Sequence, residues 1–251
     1  KASESTVFII DKSDNSLLFK DDLMSSIACD VEYILPKHIP LIDGAFDFVL
    51  FQSPFQNMEV FEKSKLVSVQ YGLAKERHNY GEWRSLADMN LMYGEYSCKK
   101  TEYFSPSFPV GNPKFDDWDL YTDQVASEFK SELGICNDKK TILYMPTWGE
   151  LGSFHQLVEC LSELRAHYNI IIKMHHNNDY RLKNWRQTAE KYGLTFNFEG
   201  DADQLLLLKS ADLVVSDFSG AIFDALYVEK PIVLYHEGVE DREGVQKFSI
   251  D

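Results

Sequence analysis

Asp212-Leu213-Val214-Val215-Ser216-Asp217-Phe218-Ser219-Gly220-Ala221-Ile222-Phe223-Asp224-Ala225-Leu226 reads as an apolar strand, a small polar turn and a helix. Ser219 can cap that helix. Its hydroxyl and the free amides of Gly220 and Ala221 would then face an anion, helped by the positive end of the helix dipole. The same residues also fit an ordinary N-cap with Asp217 as a turn residue. With neither GxGxxG nor a Lys-bearing phosphate loop, the stretch is not a dinucleotide fingerprint or a P-loop.

Working outward, the same unit recurs. Strands are expected at Thr141 to Met145, Ile170 to Met174, near Thr195 to Phe198, and at Pro231 to Tyr235. Between them the spacing predicts helices over Phe154 to His167, Tyr180 to Tyr192 and Ala202 to Lys209. Such alternation gives a doubly wound parallel sheet, in which ligands sit beyond the carboxyl ends of the strands. Upstream, Tyr121, Val125, Phe129 and Leu133 recur at helical steps before Gly134, a stop signal, within a helical pattern between Asp116 and Asn137. Further back lie short apolar runs at Thr6 to Ile10, Val31 to Leu35, Phe46 to Phe51, Leu66 to Gln70 and Met89 to Tyr93, read as a second helix-covered parallel sheet. Two lobes follow, residues 1–118 and 119–251.

Chemistry-bearing residues fall after strands. Leu143-Tyr144-Met145-Pro146-Thr147-Trp148-Gly149 ends a strand in proline; Thr147 offers a hydroxyl and an N–H to a phosphate, and Trp148 a face to a base or sugar. Taken alone, the motif also fits a structural turn with a core Trp. In Ile170-Ile171-Ile172-Lys173-Met174-His175-His176-Asn177-Asn178, either histidine can serve as general base or as proton-bearing partner of a departing phosphate. No metal site is expected, because successive side chains on one strand face opposite ways and no carboxylate lies at a useful spacing. Val69-Gln70-Tyr71-Gly72-Leu73-Ala74-Lys75-Glu76-Arg77-His78-Asn79 sets Lys75, Arg77 and His78 in a loop that can hold an acceptor or a phosphate, or simply be solvated. Val110-Gly111-Asn112-Pro113-Lys114-Phe115-Asp116 reads as a hinge.

Composition narrows the partners. Over 251 residues the formal charge is −15, which argues against nucleic acid, whose phosphates need clustered Lys and Arg. The four cysteines, Cys29, Cys98, Cys136 and Cys160, are scattered without metal or disulfide spacing, as in a reducing compartment, so a cytoplasmic protein is expected. No run approaches the ~20 apolar residues a spanning helix needs. The chain starts at Lys1 without an initiating Met and is expected to be truncated at both ends.

Taken together, the segments resemble the CDP-glycerol glycerophosphotransferase family, which builds teichoic-acid and related polyol-phosphate polymers. The likeness runs in order from Val67 to Tyr235 through Tyr93-Gly94-Glu95-Tyr96-Ser97, Gly111-Asn112-Pro113-Lys114-Phe115-Asp116, Met145-Pro146-Thr147-Trp148, Lys173-Met174-His175, and Ser216-Asp217-Phe218-Ser219 with Phe223-Asp224. It implies an α/β, GT-B-like fold of two Rossmann-like lobes with a cleft between them. It also implies transfer of an alcohol phosphate from a CDP-alcohol to a hydroxyl of a glycan or lipid-linked glycan precursor, with no cofactor. His175 would be the catalytic or phosphate-binding histidine. Thr147, Ser219 and Gly220 would lie at the donor pyrophosphate, with Pro146, Trp148, Lys173, Asn177 and Asp217 on the same donor side and Asp224 toward the ribose or glycerol. Gly72, Lys75 and Arg77 would serve the acceptor. Peripheral attachment to the inner membrane face and the oligomeric state are left open.

Two departures stand out. Tyr71-Gly72 replaces the usual His-Gly pair, and a tyrosine with a pKa of about 10 is a poor base at neutral pH, so His78 or another group would have to take that part. His176 replaces a usual proline. The alternative readings are a nucleotide-sugar glycosyltransferase of the same fold, a nucleotide-sugar 2-epimerase, and a catalytically silent nucleotide-binding module.

Overall fold

The computed structural model describes residues 7–11, 30–34, 36–74, 79–149, 152–181, 184–199 and 202–236. The chain forms two compact units, one of Lys1–Tyr71 with Arg77–Asn112 and one of Gly72–Glu76 with Pro113–Asp251. The sequence reading puts the boundary after residue 118. Residues 113–118 join the second unit instead, because buried Phe115 stacks on Tyr227 at 4.3 Å and Lys114 pairs with Asp224 at 2.6 Å.

In the first unit, β1 (Val7–Asp11) pairs in parallel with β2 (Asp30–Ile34). A four-stranded parallel sheet contains β3 (Phe48–Phe51), β4 (Lys65–Val69), β5 (Met89–Met92) and β6 (Ser107–Pro109) in that order, with helix α1 (Glu95–Thr101) against β5 and β6. The first five strands coincide with the expected apolar runs. The sixth does not; Ser107-Phe108-Pro109 is too short to show a period and ends in a residue that cannot donate to a ladder.

The first α-helix of the second unit is α2 (Asp123–Glu132), capped by Thr122, whose hydroxyl accepts from Val125 N–H at 3.3 Å, and followed by Gly134 at φ 70°. Tyr121, expected inside this helix, precedes it. The unit continues as β7 (Thr141–Met145), α3 (Phe154–Leu164), β8 (Asn169–Lys173), α4 (His176–Arg181), α5 (Trp185–Lys191), β9 (Phe196–Phe198), α6 (Gln204–Ser210), β10 (Leu213–Ser216), α7 (Ala221–Tyr227) and β11 (Ile232–Leu234). The single helix expected over Tyr180 to Tyr192 is two helices.

All five strands are parallel, in the order β11-β10-β7-β8-β9. Central β7 is buried at every position. Ile142 and Tyr144 pack with Phe154, Val158, Leu161 and Trp185; Leu143 and Met145 pack with Leu207, Leu208 and Ala225. Alternate side chains therefore enter two apolar layers, which is why the strand reads as one continuous hydrophobic run. Each such side chain contributes about 1.5–3 kcal/mol on full burial, so apolar packing dominates this frame. From β7 the chain winds outward to β9, then returns to the other side of β7 as β10. The winding thus reverses between β7 and β10, and the place for a ligand in such a sheet is the crevice beyond their carboxyl ends.

Candidate functional site

At that reversal the loop after β7 is held from two sides. Thr147 donates its N–H to Asp217 Oδ1 at 2.6 Å, and Ser153, just before α3, donates both its N–H (2.8 Å) and its hydroxyl (2.7 Å) to Asp217 Oδ2. Since the Ser153 proton goes to the carboxylate, the Tyr144 hydroxyl donates to Ser153 Oγ at 2.8 Å. On the other side, Asn178 in α4 donates to the Thr147 carbonyl at 3.1 Å and accepts from Gly149 N–H at 3.3 Å. Two glycines make the path feasible. Gly149 has φ 69°, and a Cβ on Gly152 would meet the Thr147 carbonyl oxygen at 2.7 Å.

Asp217 is 3% exposed. Burial pushes its carboxyl above the ordinary value, against the pull of its three donors. It was expected to face the donor; instead both carboxylate oxygens are engaged inside the protein, and the Thr147 N–H expected to meet a phosphate is spent on one of them. Thr147 is itself buried, beside half-buried Trp148 and buried Pro146.

His175 follows β8 on the same rim, half-buried. Asn177 donates its backbone N–H to His175 Nδ1 at 3.1 Å, so in the neutral imidazole the hydrogen sits on Nε2. Trp148 lies 6.2 Å away between ring centroids, and the rings of His175 and exposed His176 are 4.2 Å apart. The two histidines were expected on opposite faces of a strand. They lie side by side because β8 ends at Lys173, His175 stands in the turn and His176 opens α4. Among the described residues no group of three or more His, Cys, Asp or Glu is placed to hold a metal ion.

On the β10 side, buried Ser219 accepts from Ala221 N–H at 3.3 Å, and exposed Gly220 leads into α7. One turn on, Asp224 Oδ2 accepts from Lys114 Nζ (2.6 Å) and Gln204 Nε2 (2.8 Å). The segment read as a hinge therefore also braces the carboxylate assigned to the donor. Gly72, expected on the acceptor side, belongs with the second unit, where a Cβ on Gly220 would meet the Ala74 Cβ at 3.5 Å.

In the first unit Tyr71 is 40% exposed, and its phenol is pushed above the ordinary value by burial, with Arg84 pulling the other way. Tyr71 is thus even less suited to act as a base than an ordinary tyrosine. Lys75, Arg77 and His78 lie outside the described residues. Behind Tyr71 the sheet carries a buried polar network that the sequence did not reveal. Arg84, fully buried, donates Nε–H to the Asn79 carbonyl and an η-nitrogen N–H to Ser68 Oγ at 2.6 Å. Ser68 donates to Asn90, its register partner on β5, and Asn90 donates to Ser105 Oγ at 2.7 Å.

The CDP-glycerol:poly(glycerophosphate) glycerophosphotransferase family matches residues 74–251. The chain belongs to that family. This glycerophosphotransferase-family chain is 28% identical over 186 residues to the teichoic acid poly(glycerol phosphate) polymerase of Bacillus subtilis strain 168, covering 67% of itself and 24% of that protein. To the teichoic acid ribitol-phosphate polymerase TarK of Staphylococcus aureus it is 28% identical over 144 residues, covering 53% and 28%. It therefore spans about a quarter to a third of the curated relatives it matches. Among solved structures, the wall teichoic acid polymerase TagF superposes with a TM-score of 0.60 at 16% identity, over 90% of this chain and 69% of that one. A UDP-N-acetylglucosamine 2-epimerase from Rickettsia bellii gives 0.62 at 14% identity, over 90% and 70%. These likenesses show the fold, which is GT-B-like.

Of the residues expected at the site, the structure brings Thr147, Trp148, His175, Ser219 and Gly220 to the carboxyl-end rim of one sheet. Ser153, Asn178 and Lys114 were missed. Ser153 carried a signal, a serine directly before an apolar helical pattern, and Lys114 stood within a quoted block; nothing in the sequence marked Asn178.

Proposed function

We propose that the chain is the catalytic part of an enzyme that transfers a polyol phosphate, of the glycerol- or ribitol-phosphate kind, from a CDP-alcohol to a hydroxyl of a glycan precursor at the cytoplasmic side of the cell envelope. The observation that carries this reading is His175 on the carboxyl-end rim of β8, within a family match reaching from residue 74 to 251, with its Nδ1 committed to the Asn177 amide. Nε2 then carries the ring hydrogen that the neutral imidazole can donate. In the step proposed, the acceptor oxygen attacks the phosphorus that bears the alcohol, the bond to CMP breaks, and the acceptor proton passes to a base. His175 donates a hydrogen bond to the charge developing on the phosphate oxygens. Tyr71, its phenol protonated at neutral pH, is not that base; His78 is the proposed one. The chemistry uses the protein's own residues and the CDP-alcohol as substrate. Among the described residues no helix is long and apolar enough to cross a membrane.

The test is a comparison of CDP-glycerol, CDP-ribitol, UDP-sugars and GDP-sugars by thermal shift and by CMP release with glycan acceptors. Selective stabilisation by a CDP-alcohol supports the reading. A uridine preference with an epimerised sugar as product replaces it with nucleotide-sugar chemistry. The His175→Ala variant should lose transfer by about 100-fold or more while remaining folded; retained turnover removes His175 from the mechanism.

A further inference from the structure

We infer that Asp217 is an internal anion: its carboxylate fills the first strand-to-helix turn of the second unit, where folds of this class commonly hold a ligand phosphate, and so positions the donor rim without touching the donor. The inference rests on the donor-binding reading of that rim.

The geometry is that of a captured anion. In doubly wound sheets the first strand leads into a turn whose amides, at the amino end of the first helix, bind a phosphate. Here that strand is β7 and that helix α3, eleven residues long. The donors such a site would offer are present, but they point at Asp217: the Thr147 N–H on one oxygen, the Ser153 N–H and hydroxyl on the other. Charge-assisted hydrogen bonds of this kind are about twice as strong as neutral ones, and a carboxylate 3% exposed, as this one is, needs them to offset its desolvation.

The arrangement has a consequence for the donor. With the β7–α3 turn occupied, a diphosphate is left the groups that remain on the rim, around His175, Ser219 and Gly220. Asp217 also joins two elements far apart in sequence, residues 147–153 and the turn after β10 that carries Ser219, while Asn178 ties 147–149 to the turn of His175. Loss of the carboxylate would free Thr147 and Ser153 together and loosen the β7 loop on one side. Asp217 is thus a positioning residue.

The Asp217→Gly variant leaves a space the size of a small carboxylate, lined by the three donors. Thermal unfolding of this variant and of the wild type, each with and without sodium formate, tests the internal anion with no donor present. The expected result is a formate-dependent rise of about 2–4 °C in the variant, absent in the wild type and in Asp217→Asn, whose amide fills the space. CDP affinity by calorimetry then tests the positioning role. Asp217→Gly should bind on the order of 100-fold more weakly, and formate should recover at least about tenfold of that. Should Asp217→Gly fail to fold, Ser153→Ala, which keeps the carboxylate but removes one donor, should weaken CDP binding by about tenfold with its circular dichroism unchanged. A folded Asp217→Gly that ignores formate, or wild-type CDP affinity in either folded variant, overturns the inference. A wild type that takes up no cytidine diphosphate sinks the donor reading, and the formate response of Asp217→Gly alone then decides the internal anion.

Discussion

The two larger sheets are built from the same parallel strands but have opposite interiors. In the second unit the apolar layers run through the middle of the sheet, and the buried polar groups Thr147, Ser153, Asn178, Asp217 and Ser219 lie beyond the strands, in the turns and at the starts of the helices that follow. In the first unit the polar groups stand mid-sheet: Ser68 and Asn90 are neighbours on the two central strands, with the buried Arg84 guanidinium laid against them. One unit keeps polarity at its rim and derives its frame from non-directional burial. The other builds directional bonds into its core. The lesson concerns specificity: an apolar interior tolerates exchange of similar shapes, whereas a polar one ties a strand, a turn and a loop to particular partners.

The comparison is best challenged at one residue in each interior, by urea unfolding. Ile171, fully buried between β7 and β9, should be the costlier: Ile171→Ala removes packing from the apolar layer and should lose about 4 kcal/mol. A loss near 1 kcal/mol would mean that this layer can collapse around the void. Arg84→Met keeps the length but strips donors from the Asn79 carbonyl and Ser68, and should lose about 2–3 kcal/mol. The guanidinium is held down to about 10 by burial, with Tyr80 and Tyr71 pulling it back up, and one of its η nitrogens has no hydrogen-bond partner among the described residues. A neutral or stabilising Arg84→Met would show the polar interior to be no more than a tolerated buried charge, and the contrast between the units would fail.

The smallest effect is a pH dependence at the second unit's rim. Because burial raises the Asp217 carboxyl above its unfolded value, its contribution favours the folded state at low pH and is lost as pH rises through the folded value. Wild type should therefore gain stability relative to Asp217→Asn as pH falls from about 7 toward about 4. The opposite slope would mean that the three hydrogen bonds outweigh burial, and that the rim is electrostatically more like the first unit's interior.

Much of the second unit was legible because strand, turn and helix alternate there with clean period changes. The stretch from Asp212 to Leu226 alone announced a strand, a turn and a helix, and the structure has β10, its turn and α7 there. The first unit was legible as strands but not as an interior. Ser68 and Asn90 sit inside apolar runs, and nothing local says that Arg84, between them in sequence, returns to meet both. The rim shows the same division. His175, Thr147 and Ser219 were visible as polar residues just past strands, but the partner each group takes was not.

By itself the sequence determined the α/β class, most strands and helices, the family, and the residue types available for phosphate chemistry, because periodicity and turn chemistry act over a few neighbouring residues. Only the tertiary structure decided that Asp217 faces inward, that the Thr147 amide is already taken, and that Lys114 braces Asp224 across 110 positions. Those outcomes depend on which groups are brought together when strands 71 residues apart, such as those ending at Met145 and Ser216, lie side by side, and on the cost of leaving any buried polar group there without a partner.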